Sequence, residues 1–167
     1  MIPFYVVDPE LAAQETRVLN VLALHRGVPA GSYGLLELYC HDPSCHCRRV
    51  MLSIREEKSP EEILASINFG FDREAELAGP FLDPLNPQSS IAEGLLDLIQ
   101  SVILSDAKYI RRLERHYHLM KQAAADPQHP AYERLQAVLT DGATSFPVLQ
   151  SPHNAQKRKN TGKRHKR

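Results

Sequence analysis

The chain has no tryptophan, and its three cysteines are confined to the stretch Cys40 to Cys47. An odd number of thiols gathered in one place is a poor disulfide framework, so a reducing, cytoplasmic setting is expected. Long apolar runs are missing, which excludes a membrane-spanning helix. The opening residues, Met1-Ile2-Pro3-Phe4-Tyr5-Val6-Val7-Asp8, lack the basic region, apolar stretch and cleavage site of a signal peptide. There is no phosphate loop, no Gly-x-Gly-x-x-Gly and no Gly-x-Ser-x-Gly, which removes the case for a nucleotide-dependent enzyme or a serine hydrolase. His-Glu-x-x-His and the paired His-x-Glu and Pro-Cys-x-x-Cys pattern of zinc deaminases are absent too.

Acidic residues stop at Asp141, while Lys157, Arg158, Lys159, Lys163, Arg164, Lys166 and Arg167 follow. The formal net charge of zero therefore hides an asymmetry. Setting those seven aside leaves 13 of the 20 basic residues against 20 acidic ones, a body of net charge −7. We read residues 1–146 as a single domain and 147–167 as a disordered basic tail. Such tails contact nucleic acid or other polyanions, and they also occur as plain solvated chain. The 167 residues are enough for one core without staples.

The elements follow from periodicity and punctuation. Asp8-Pro9-Glu10 reads as a helix start, and Leu11, Val18, Leu19 and Leu22 recur at helical spacing, predicting a helix from about Pro9 to His25. Leu36, Leu38 and Cys40 then alternate with Glu37 and Tyr39, and Val50, Leu52 and Ile54 with Met51, Ser53 and Arg55, which predicts a β-hairpin. Ile63, Ala65, Ile67, Phe69 and Phe71 predict a third strand, outweighing the capping-box look of Ser59 to Glu62. Gly79 to Gln88 is a Pro-rich ordered connection. Ser90 with Glu93 predicts the cap of a helix carrying Ile91, Leu95, Leu98, Ile99, Val102 and Ile103. Asp106 opens a further helix to about Ala125, and a short one spans roughly Ala131 to Leu139, closed by Asp141-Gly142. The expected fold is α+β: a small three-stranded antiparallel sheet with an N-terminal helix and C-terminal helices packed on one face.

The chemistry is concentrated in Tyr39-Cys40-His41-Asp42-Pro43-Ser44-Cys45-His46-Cys47-Arg48-Arg49. In extended backbone Cys45 and Cys47 share a side while His46 faces away, and Asp42-Pro43 can turn Cys40 back toward them. Three thiolates leave tetrahedral zinc one ligand short. The candidates for the fourth position are His116 first, then His41, then water. Arg48 and Arg49 would offset the negative charge. Zinc held by Cys40, Cys45, Cys47 and His116 would staple the hairpin to the third helix. Against this stand three reduced cysteines without a metal, and a strained Cys45–Cys47 disulfide.

The stretch from Glu37 to Val50, followed by Gly79-Pro80-Phe81-Leu82-Asp83-Pro84-Leu85-Asn86-Pro87-Gln88-Ser89, resembles a family of uncharacterised bacterial proteins. Some of its members carry a SEC-C zinc motif at the C-terminus. This chain has no second cysteine cluster and ends in the basic tail instead. The resemblance implies a metal-binding protein of unassigned role.

Lys108, Arg111, Arg112 and Arg115 form a basic stripe along the third helix, which is either a solvated face or, with the tail, a second contact for nucleic acid. Without tryptophan there is little of the aromatic platform that single-strand binders use. Three function classes remain. They are a non-enzymatic zinc-containing interaction module touching nucleic acid or ribonucleoprotein, a protein–protein adaptor with structural zinc, and a zinc hydrolase with His116 or Glu114 as base.

Overall fold

The computed structural model describes residues 1–72, 74–75 and 77–141, so the expected basic tail and the closing Gly142 lie outside the described residues. The fold is α+β, with one antiparallel sheet of six strands rather than three. The three predicted strands are its centre: β3 (Gly31–Tyr39), β4 (Arg49–Glu56) and β5 (Ala65–Gly70). Three short or irregular strands extend it. β1 (Ile2–Pro3) and β2 (Arg17–Val21) both pair with β3, and β6 (Phe81–Leu82) pairs with β5. No two-residue strand has enough alternation to be read from sequence, so β1 and β6 could not be expected.

The first helix is the main correction. Asp8 does cap it, accepting the Leu11 N–H at 2.9 Å, but α1 (Pro9–Glu15) ends ten residues short of His25. At Thr16 the backbone turns to ψ 120° and the chain enters β2, where Leu19 and Val21 are buried while Val18 and Asn20 are exposed. Period two wins over the helical spacing because β3 offers a complete ladder, Arg17 to Val21 against Leu35 to Gly31. Leu22, counted as part of the helical stripe, is 93% exposed. His25 and Arg26 therefore end no helix. They belong to a tight turn, with His25 and Val28 exchanging backbone hydrogen bonds and Arg26 and Gly27 at positive φ.

Because α1 intervenes, β1 and β2 occupy one edge of β3 with a break between them. β1 covers Leu38 and Tyr39, β2 covers Gly31 to Leu35, and neither pairs with Leu36 or Glu37. One face of the sheet carries Leu35, Tyr39, Val50, Leu52, Ile54, Ala65, Ile67 and Phe69 into the main core. That core is closed by α2 (Ala92–Leu98), α3 (Ala107–Ala125) and α4 (Tyr132–Asp141), which contribute Leu95, Leu113, Met120 and Leu135. Leu36, Leu38 and Met51 form a smaller cluster on the other face. The expected alternation of β3 is thus inverted: Glu37 and Tyr39 face the helices.

At the end of α2 the chain widens into a π-helical stretch over Ile99–Ile103, and α3 begins with Asp106 accepting the Lys108 N–H at 2.8 Å. The Ser90–Glu93 box does not form; the residue before α2, Ile91, makes no side-chain cap. The Pro-rich connection is tied down by polar bonds. Gln88 brackets Ser66, its amide oxygen accepting the Ser66 N–H at 3.0 Å and its amide nitrogen donating to the Ser66 carbonyl at 3.0 Å. One side chain thereby does the work of a strand partner where prolines forbid one. Among the described residues, no helix is long and apolar enough to cross a membrane.

Candidate metal centre

The β3–β4 hairpin brings the thiols together. β3 ends at Tyr39 and releases Cys40; Cys47 comes two residues before β4 begins at Arg49. Between them the Asp42 carboxylate accepts the Ser44 N–H at 2.9 Å and the Ser44 hydroxyl at 2.7 Å, and the Cys45 N–H reaches the Asp42 carbonyl at 3.2 Å. These bonds fold the chain back on itself. The ligand atoms of Cys40, Cys45 and Cys47 all lie within 4.8 Å of one another, each partly exposed, while His46 is exposed. Arg48 then takes a left-handed φ of 40°, an uncommon conformation for a non-glycine residue, as the chain re-enters the sheet.

The thiols are electrostatically unequal. The Cys47 N–H and thiol, with the Cys40 thiol, point at the Cys45 sulfur and hold its pKa below the ordinary thiol value. Burial, followed by the hydrogen bond and charge of its neighbours, pushes Cys47 up to about 11. A cation binding all three sulfurs would displace the protons of these thiols, since thiolates are the ligand form. The nearby positive charge comes from Lys121 on α3, which favours the thiolate at both Cys45 and Cys47. Its ammonium donates to the carbonyls of Asp42 at 2.5 Å and Cys45 at 2.9 Å. Arg48 and Arg49, expected in that role, turn elsewhere: Arg48 pairs with Glu114 at 2.6 Å and Arg49 donates to the Leu77 carbonyl at 3.0 Å. Lys121 is 74 residues from Cys47 and carries no motif, so only the folded chain reveals it.

His116 does not join the cysteines. It is 1% exposed, with Nδ1 2.6 Å from a Glu37 carboxylate oxygen and Nε2 2.8 Å from one of Glu15. Both ring nitrogens are occupied, leaving no lone pair for a metal. The helical phase puts His116 at the edge of the packed face of α3; the structure buries it fully, and Glu37 at the break in the β3 edge and Glu15 at the end of α1 take both its nitrogens. Neither glutamate stands out in the sequence: Glu37 falls on the polar side of the Leu36-Leu38-Cys40 alternation, and Glu15 belongs to no motif. Burial alone would raise the Glu15 carboxyl, but hydrogen bonds from Arg115 and His116, with their charge, hold it below the usual range. His41, the second candidate, has its Nδ1 buried without a hydrogen-bond partner among the described residues. Burial, then the positive amino terminus, lowers its pKa, which favours the neutral imidazole that metals accept.

Three cysteine sulfurs this close are a donor set able to bind a metal ion. Comparison with known proteins adds no identification: no known family matches the chain, and no curated protein or solved structure matches it either.

Proposed function

We propose that the chain is a non-enzymatic, zinc-containing interaction module, with Cys40, Cys45 and Cys47 holding the ion and His41 or water completing the tetrahedron. The observation that carries this is the convergence of three thiols within 4.8 Å on one ordered turn. Three thiolate donors with one further ligand favour zinc among the common cations. A structural role is supported by how the turn is held, since Lys121 and Glu114 of α3 both bond to it. A metal there reinforces an existing hairpin-to-helix attachment. The tail from Lys157 to Arg167, seven positive charges without an acid, is the part suited to nucleic acid or ribonucleoprotein.

Elemental analysis of the purified protein tests the metal, with X-ray absorption to read the ligands. One equivalent of zinc with three sulfurs, lost in Cys45→Ser, is the expected result; no zinc under reducing, metal-replete conditions removes the proposal. For the partner, RNA binding should weaken steeply with salt and vanish on deleting residues 155–167. Binding that ignores salt would instead favour a protein–protein adaptor.

A further inference from the structure

A second polar cluster lies away from the cysteines, where α3 crosses the broken edge of β3. Tyr109, Arg112 and His116 recur at helical spacing on α3, and Arg17 of β2 stands opposite Leu35, which faces the same core. Two carboxylates enter the cluster, Glu15 and Glu37, and both are already engaged. Glu15 is bound by Arg115 and His116, and Glu37 by His116 and by the Tyr39 hydroxyl at 2.9 Å.

What remains is a surplus of donors. The Tyr109 hydroxyl is buried in a residue only 3% exposed, and among the described residues it makes no hydrogen bond of regular geometry, only a weaker contact with the Arg112 side chain. Nε and Nη2 of Arg112 and Nε of Arg17 are likewise buried without a hydrogen bond of regular geometry among the described residues. The Arg112 guanidinium stands over the Tyr109 ring at 4.8 Å, and its Nε is 4.0 Å from Glu15, an ion-pair distance but too long for a hydrogen bond. Arg17 and Arg112 both sit close enough to Tyr109 to oppose the effect of burial and of Glu37 on its hydroxyl. Guanidinium nitrogens can only donate, so every orphan here except the hydroxyl seeks an acceptor and nothing else. The charge balance agrees: Arg17, Arg112, Arg115 and the one proton that His116 shares with its two carboxylates, against Glu15 and Glu37, leave two positive charges uncompensated.

We propose that Arg17, Tyr109 and Arg112 form a binding site for one small oxyanion, a phosphate or carboxylate group, at the gap between β1 and β2. Guanidinium forks match the paired oxygens of either group, and the Tyr109 hydroxyl supplies a further donor from the buried side. Arg115 and His116 take the hydrogen bonds of Glu15, leaving it only the longer 4.0 Å approach to Arg112. The site is independent of the metal, standing on a different stretch of α3 from Lys121.

The test is a calorimetric titration of the full chain with inorganic phosphate and, separately, with acetate, at constant ionic strength maintained with chloride. Saturable binding of either is expected, and which one binds tighter names the group. Arg112→Gln should weaken it by about tenfold or more, the loss of a charge-assisted bond, and Tyr109→Phe by about fivefold. Tyr109→Phe deletes only the hydroxyl, so it decides the matter should Arg112→Gln fail to fold. No saturable binding of either anion, as when a water fills the gap, overturns the proposal. So does binding that both variants leave unchanged, which would place the anion on the basic tail.

Discussion

Phe4 lies flat against His116, the ring centroids 4.0 Å apart and the planes 6° from parallel. With a carboxylate at each nitrogen and an aromatic ring on its face, the imidazole is held on three sides. Both nitrogens can donate at once only in the imidazolium form; otherwise one glutamate must carry the proton. His116 thus links the turn after β1, the end of α1, β3 and α3.

Replacing His116 by alanine should therefore cost about 3–5 kcal/mol, because Glu37 is left buried with only the Tyr39 hydroxyl for a partner. Metal content should be unchanged. Chemical denaturation read beside elemental analysis checks both halves; zinc lost without a fall in stability would reinstate His116 as a ligand.

Cys45→Ser should abolish metal binding and lower the melting temperature of the metal-loaded protein, as should a strong chelator added to wild type. Calorimetric melting with and without chelator measures this. Equal melting temperatures for the two states would mean that the turn is held by Lys121 and Glu114 alone.

Glu15 gives a pH signature. Its carboxyl is lowered in the folded state, so the stability it contributes is present above its unfolded value and is lost as pH falls through the folded one. Glu15→Gln should cost about 2 kcal/mol near neutrality, from the charge-assisted bonds to Arg115 and His116. The gap to wild type should close below about pH 4.5. Denaturation midpoints across that range provide the check, and a gap that stayed constant would show that the carboxylate charge is not what matters.

Gly94 of α2 has no room for a side chain. A Cβ there would stand 2.3 Å from the Arg26 carbonyl oxygen and 2.9 Å from Val28 Cγ2. Gly94→Ala should cost at least about 2 kcal/mol by forcing the helix off the His25–Val28 turn. The same substitution at an open helix position would stabilise. Urea denaturation settles the sign.

The sequence made the central meander, α3 and the cysteine turn legible because each has a local signal: alternation, an Asp cap, or thiols spaced around Asp42-Pro43. Asp8 announces α1 equally well, but nothing local announces its end, since Val18, Leu19 and Leu22 fit the helical period while Leu19 and Val21 fit a strand. The decision lay in β3, which offered Arg17 to Val21 a ladder. The same holds for the site. The three thiols are neighbours in the chain and could be grouped from spacing. Lys121, Glu15 and Glu37 come from separate elements, and only the register of β3 and the phase of α3 bring them to their partners. The phase of α3 puts His116 only at the edge of the packed face, and its burial between two carboxylates depends on Glu15 and Glu37 from distant elements.

Ile2 stands across from Tyr39 and Pro3 across from Leu38, and the positive amino terminus is felt at His41. Anything fused ahead of Met1 consequently emerges beside the three thiols. A polyhistidine affinity tag at that end would deliver imidazoles to the very place where a fourth ligand is sought. It would counterfeit both the stoichiometry and the coordination of the native centre.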